Sequence, residues 1–244
     1  FSKRPLAWLR GRFRASEGWF IGLSILVGVA AGLLADGQSR LAHAMQSQLF
    51  GLPLDGRLSA SATIDPVSLV WLPIGGLLLG ALTQVLKRLK TPPLVDVVEA
   101  NALYGGRLSL RGSLIVCLQT LISNGFGASV GLEAAYAQAG GGLASVTGGR
   151  LRLRRPDLRT LVGAGAGAAI GAAFGAPLTG AFYAFEVVIG TYAPSMIAPV
   201  AGASLAAVLT AHAIGAAPYS IQAAVFRSPD AADYALYAGL GAVC

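Results

Sequence analysis

Glu133 stands in the segment Ser129-Val130-Gly131-Leu132-Glu133-Ala134-Ala135-Tyr136, at the predicted start of a helix and among apolar neighbours. Inside a bilayer such a carboxylate costs at least ~2.5 kcal/mol on insertion scales, so its presence needs a reason. One reason is a first-turn glutamate near the surface, stabilised by the helix dipole. The other is a gate. Backbone N–H groups at a helix start form an anion site, and an ionised glutamate can occupy that site in place of a free anion. Spacing alone fits both.

The remaining reactive residues offer less. Glu186 lies in a second apolar run and reads as a buried or interface-facing helix residue with a structural partner, ahead of a direct transport role. Of the two cysteines, Cys117 reads as a small packing residue in a helix. His43 and His212 lack ligand spacing and read as helix-end or interfacial residues. Gly163, Gly165 and Ala168 match a loose dinucleotide pattern, but no strand precedes them, and helix packing through small residues explains them better. No metal ligand set, cofactor motif or catalytic constellation stands out, and neither an enzymatic activity nor a cofactor is expected.

Hydrophobic residues make up 55% of the 244 positions and charged residues 12%, against about 25% charged in soluble domains. The clearest apolar blocks run over Gly18–Ala35, Val67–Leu86, Leu161–Gly190 and Ala198–Gly215, long enough to cross a bilayer. A shorter one covers Leu114–Ile122, and another begins at Ala232 and is still running at Cys244. Membrane backbone must bond internally, so the alternatives are helices or a closed barrel. Continuous Leu, Ala and Gly runs without alternation exclude barrel strands. The fold class expected is an all-α integral membrane bundle.

The net charge of +7 is not a nucleic-acid footprint, because its basic residues cluster at span ends in the positive-inside pattern. Lys3, Arg4, Arg10, Arg12 and Arg14 precede the first span, Lys87, Arg88 and Lys90 follow the second, and Arg150 to Arg159 crowd a later loop. The N-terminus and these loops are expected in the cytoplasm, and the loop Asp36–Asp65 on the other side. The Arg150–Arg159 loop is expected to be solvated and to touch anionic headgroups. Trp8, Trp19, Phe20 and Trp71 suit an interfacial belt.

Read along the chain, a basic surface helix is predicted over Lys3–Arg14, then helices over Glu17 to about Gln46 and from Pro66 to near Arg88. Thr91-Pro92-Pro93 breaks the chain. Short helices follow over Val95–Leu103, Leu108–Ser123 and Glu133 to about Ser145. The stretch after Pro156 is too long for one straight helix, and Gly171, Gly175 and Pro177 divide it into two joined pieces. Further helices cover Met196–Ile214 and begin after Asp230. Short and broken helices at membrane depth are tolerated where they line a cavity, and transporters use them to aim helix N-termini at an anion.

Two ordered motifs carry a family resemblance. Gly127-Ala-Ser-Val-Gly131-Leu132-Glu133-Ala134-Ala135 resembles the segment written GxxxGREGP in CLC chloride channels and anion/proton antiporters. Gly163 to Gly180 resembles that family's small-residue run leading to AaFnaPlaG, and Phe182 to Glu186 its continuation. The resemblance covers about residues 17–244 and identifies the chain with the N-terminal half of such a domain, 1–16 being the surface helix. It implies that Glu133 is the gating glutamate, with the backbone N–H groups of Leu132, Glu133 and Ala134 facing an anion site. It also implies a transported inorganic anion such as chloride, a homodimer, a bacterial inner membrane, and an inverted second half in the same frame or on a separate chain. The expectation is a piece of a longer pathway.

The sequence departs from the family pattern in places. Leu132 replaces the arginine before the glutamate, and Ala134-Ala135 replace Gly-Pro. The contact motif GSGIP falls at Thr91-Pro92-Pro93-Leu94-Val95, placing Thr91 and Pro92 at the anion path with Pro92 where the serine hydroxyl belongs. After Glu186 comes Val187, where exchangers commonly carry a proton-passing glutamate, which leans towards passive conduction. The alternatives are an anion/proton antiporter of the same fold and a non-conducting membrane scaffold. Retention of Glu133 speaks against the scaffold.

Overall fold

The structure, a computed structural model, describes residues 17–53, 58, 61, 64–216 and 230–243. The surface helix expected over Lys3–Arg14 lies outside the described residues, as does Cys244. The described residues form helices and connecting loops: α1 Glu17–Phe50, α2 Trp71–Arg88, α3 Val97–Leu103, α4 Leu110–Gly125, α5 Glu133–Leu151, α6 Arg155–Phe174, α7 Pro177–Tyr183, α8 Pro194–Ala213 and α9 Ala231–Val243. A 3₁₀ turn, Pro66–Val70, leads into α2, and a π-helical turn, Ala184–Ile189, extends α7. Among the described residues, the segments Glu17–Phe50, Pro66–Arg88 and Pro194–Ala213 are long and apolar enough to cross a membrane.

Local chemistry sets the helix ends. Asp65 accepts from the Val67 N–H at 3.0 Å ahead of Pro66, the helix-start signal read from the sequence. Asp96 caps α3 through the Glu99 N–H at 2.7 Å, and Ser109 caps α4 through Gly112. Gly175, at φ +64°, ends α6 in the left-handed region before Pro177 opens α7. That is the expected division of the long apolar stretch. Two helices run further than predicted. The first reaches Phe50 rather than Gln46, and α5 reaches Leu151 rather than Ser145, because polar residues continue a helix wherever neighbouring helices hold it.

The core is α6, with α1, α5, α7 and α8 packed round it. Every residue from Leu161 to Ala172 is buried. Small residues make this packing close: a Cβ on Gly165 would stand 2.5 Å from the Gly140 carbonyl oxygen of α5, and a Cβ on Gly28 of α1 would strike the Ala203 backbone of α8. By contrast, only Gly75 is buried in α2, and Leu77 is 74% exposed. Such a surface belongs against lipid or another protein element, not water.

The Arg150–Arg159 segment is largely helical rather than the loop expected, while Arg150, Arg152, Arg154 and Arg155 are exposed as expected. It is the end of α5, a short turn and the first turn of α6. Arg159 donates to the Asn101 Oδ1 at 3.2 Å and to the Ile189 carbonyl at 3.3 Å, while buried Asn101 donates back to the Arg159 carbonyl. Its guanidinium therefore ties α3 to the end of the π-helical turn. The Arg155 side chain lies over Gly105.

Candidate functional site

The loop Asn124–Leu132 joins α4 to α5 and aims the start of α5. Gln46 on α1 donates to both the backbone and side-chain oxygens of Asn124, each at 3.0 Å. Asn124 in turn donates to the Val130 carbonyl at 2.7 Å. Phe126 seats its ring edge-on against Trp71, centroids 6.4 Å apart, and over Gly75. Gly127 turns with φ +90°. The loop is thus pinned to both α1 and α2.

Helix α5 then begins at Glu133 itself. Leu132 is the capping residue and supplies no side-chain acceptor, and the first helical bond runs from the Tyr136 N–H to the Leu132 carbonyl. The first N–H groups of a helix have no intrahelical acceptor, which leaves those of Leu132, Glu133 and Ala134 without one at the positive end of α5. The Glu133 side chain folds back over Gly131, where any Cβ would collide with the carboxylate. Glu133 and Ala134 are exposed and Leu132 half-buried.

Leu132 and Glu133 line a cleft of about 450 Å³. Its opposite wall is α1, contributing Ser39, His43 and Gln46, and Phe174 closes it at the end of α6. Of the two positions expected for His43, helix-end or interfacial, the first does not hold, since it lies within α1 seven residues before Phe50; its Nδ1 bonds the Ser39 carbonyl at 2.9 Å. It was legible only as a polar stripe, since Ser39, His43 and Gln46 recur at the helical spacing of one face.

Thr91 and Pro92 do not join this cleft. They line a second one, of about 440 Å³, with Tyr104, Arg107, Ser109 and Arg111. Helix α4 starts at this second cleft and ends at the first; its 16 residues make it about 24 Å long. The Thr91 hydroxyl donates to the Leu86 carbonyl, and Pro92 has no N–H to offer. Buried Gln138 links the two clefts: five residues along α5 from Glu133, it donates to the Val95 carbonyl at 3.0 Å and to Ser113 of α4 at 3.3 Å.

Glu186 sits in the π-helical turn, exposed, and accepts a hydrogen bond from the Tyr192 hydroxyl at 2.7 Å. The expected structural partner is present; burial within this chain is not. Val187 beside it is 45% exposed. Cys117 is buried and donates weakly to the Ala135 carbonyl at 3.4 Å, a packing residue as read. His212 lies in the last turn of α8.

An all-α membrane bundle with short, broken helices and an acid at a free helix start defines a transporter or channel class of fold. The voltage gated chloride channel family model matches residues 75–244, and the chain belongs to that family. The ClcB-like chloride channel protein of Ralstonia nicotianae is 36% identical over 130 residues, covering 51% of this chain and 30% of that protein. The voltage-gated ClC-type chloride channel ClcB of Yersinia pseudotuberculosis is 28% identical over 224 residues, covering 90% of this chain and 54% of that one. A slow cyanobacterial Cl⁻/H⁺ antiporter has the same fold, with TM-score 0.70 and 21% identity over 92% of this chain and 53% of that chain. The chain spans about half the length of the relatives it matches over most of its own.

Proposed function

We propose that this chain contributes to a transmembrane pathway for an inorganic anion such as chloride, with Glu133 as its gating glutamate. The observation that carries the reading is the position of Glu133. It is the first residue of α5, it has no capping competitor, and it lies in an open cleft where its carboxylate and a free anion would seek the same N–H groups. Protonation or outward rotation of Glu133 would free the helix start for the anion. The family supports transport of this kind, and a second, inverted half would complete the pathway. Pairing into a homodimer and residence in a bacterial plasma membrane, N-terminus in the cytoplasm, belong to the same reading. The clustering of Lys87, Arg88, Lys90 and Arg150 to Arg159 at one end of the bundle supports that orientation.

The test is chloride efflux from liposomes holding the intact protein, released by a potassium ionophore. Efflux no faster than from empty liposomes would defeat the reading. Passive conduction is favoured over antiport by Val187, which carries no titratable group beside Glu186. An imposed chloride gradient that drives sustained uphill proton movement at a fixed ratio would make the protein an antiporter instead.

A further inference from the structure

We infer that Arg107 and Arg111 form a cationic antechamber that binds the inorganic anion at the end of the protein opposite Glu133. The inference rests on the transport reading above and names the residues that would receive the anion there. Both arginines line the second cleft and both are exposed. Among the described residues, neither guanidinium has an ion pair or a side-chain hydrogen bond. Arg40 and Arg159 show the alternative, since each spends its guanidinium on a carboxylate, an amide or a carbonyl. The nearby acids Asp96 and Glu99 do not line the cleft, and Asp96 is occupied with capping α3.

The neutral donors at this end are partly spent. The Thr91 hydroxyl is given to Leu86 and Pro92 has none. Ser109 and Tyr104 are the exceptions: the Ser109 oxygen accepts from the Gly112 N–H, which leaves its proton available, and Tyr104 also lines the cleft. An anion entering here therefore meets two guanidinium groups and the hydroxyl-bearing side chains of Ser109 and Tyr104 between apolar walls of Pro93, Leu94 and Ile115. Guanidinium is weakly hydrated and offers a fork of donors, and apolar walls focus the field of like charges and raise the local concentration of a counter-ion. Positive charge on side chains takes the place of the hydroxyl that the family motif would supply at Pro92.

The experiment is a calorimetric chloride titration of the purified intact protein, repeated with chloride efflux from liposomes. R107Q/R111Q should weaken chloride binding by about tenfold, and the difference should shrink near 1 M of an impermeant salt, where the Debye length is about 3 Å. R107K/R111K, which keeps the charge, should retain most of the affinity. Unchanged chloride affinity in R107Q/R111Q overturns the inference. So does intact chloride affinity with lost binding to phosphatidylglycerol vesicles, which would make the cleft a lipid headgroup site. A wild-type protein that binds chloride through these arginines yet passes none would defeat the transport reading alone.

Discussion

The two clefts at the ends of α4 would offer an anion different groups. At the Glu133 end the donors are backbone N–H groups, the one charged side chain aimed at them is negative, and the loop that presents them is pinned from α1 and α2. At the Thr91 end the backbone offers little, because Pro92 and Pro93 lack N–H groups, and the positive charge sits on long side chains. Backbone donors are fixed in place and suit competition between an internal carboxylate and an external ion. Flexible guanidinium groups suit capture. In the proposed pathway the first end would select and the second would capture.

Both ends hang on one seam, so the largest effect is expected from breaking it. Gly165→Val would push α5 off α6, since even a Cβ there meets the Gly140 carbonyl. Overpacking of this kind costs roughly 1–3 kcal/mol, occasionally more. The expected outcome is loss of the monodisperse peak in detergent size-exclusion chromatography, or a sharply lower melting temperature. Gly80→Val on α2, where nothing lies within 4 Å, should leave both unchanged. Equal damage from the two substitutions would mean that α6 is not the organising helix.

Gln138→Leu should come next. It strips donors from the Val95 carbonyl and Ser113 in a buried site, and a buried polar group left unsatisfied costs about 1–3 kcal/mol. Because Val95 lines the arginine cleft, chloride affinity there should fall along with the melting temperature, while the pH response at Glu133 persists. A variant that loses the pH response and keeps the affinity would reverse the assignment of Gln138.

Asn124→Ala should have the smallest effect on stability, about 1 kcal/mol for partly exposed hydrogen bonds, and a localised effect on function. It removes the Asn124 side-chain bonds to Gln46 and to the Val130 carbonyl, and leaves Gln46 bonded to the Asn124 backbone carbonyl alone. Chloride efflux should change its dependence on external pH while half-saturation at the arginine end stays as in the parent. An unaltered pH profile would show that the loop needs no such fastening.

Much of this was legible in the sequence, and the exceptions share a cause. The break between α6 and α7 was readable because Gly175 and Pro177 act locally, and the start of α5 at Glu133 because a family motif marks it. The extension of α5 to Leu151 was not, since Gly148, Gly149 and Arg150 carry no apolar run and it is buried Gly148 that sits against Leu158 and Leu161 of α6. Arg159 looked like one more basic loop residue, and its bonds to Asn101 and Ile189 join positions far apart in the chain. The same holds for His43, brought across from α1 to face Glu133, and for Arg107 and Arg111, brought to Thr91 by the turn between α3 and α4. Helix placement follows from local chemistry, whereas which side chains share a cavity follows from packing.

The central claim is that the Glu133 carboxylate competes with the anion for the start of α5. Chloride efflux from liposomes holding the intact protein, measured across an external pH series for the parent and Glu133→Gln, tests it most directly. The amide copies the protonated acid in shape and charge, so Glu133→Gln should pass chloride faster than the parent at neutral pH and respond less to external pH. A variant whose rate and pH profile match those of the parent would contradict the claim and leave Glu133 as a first-turn residue that stabilises its helix.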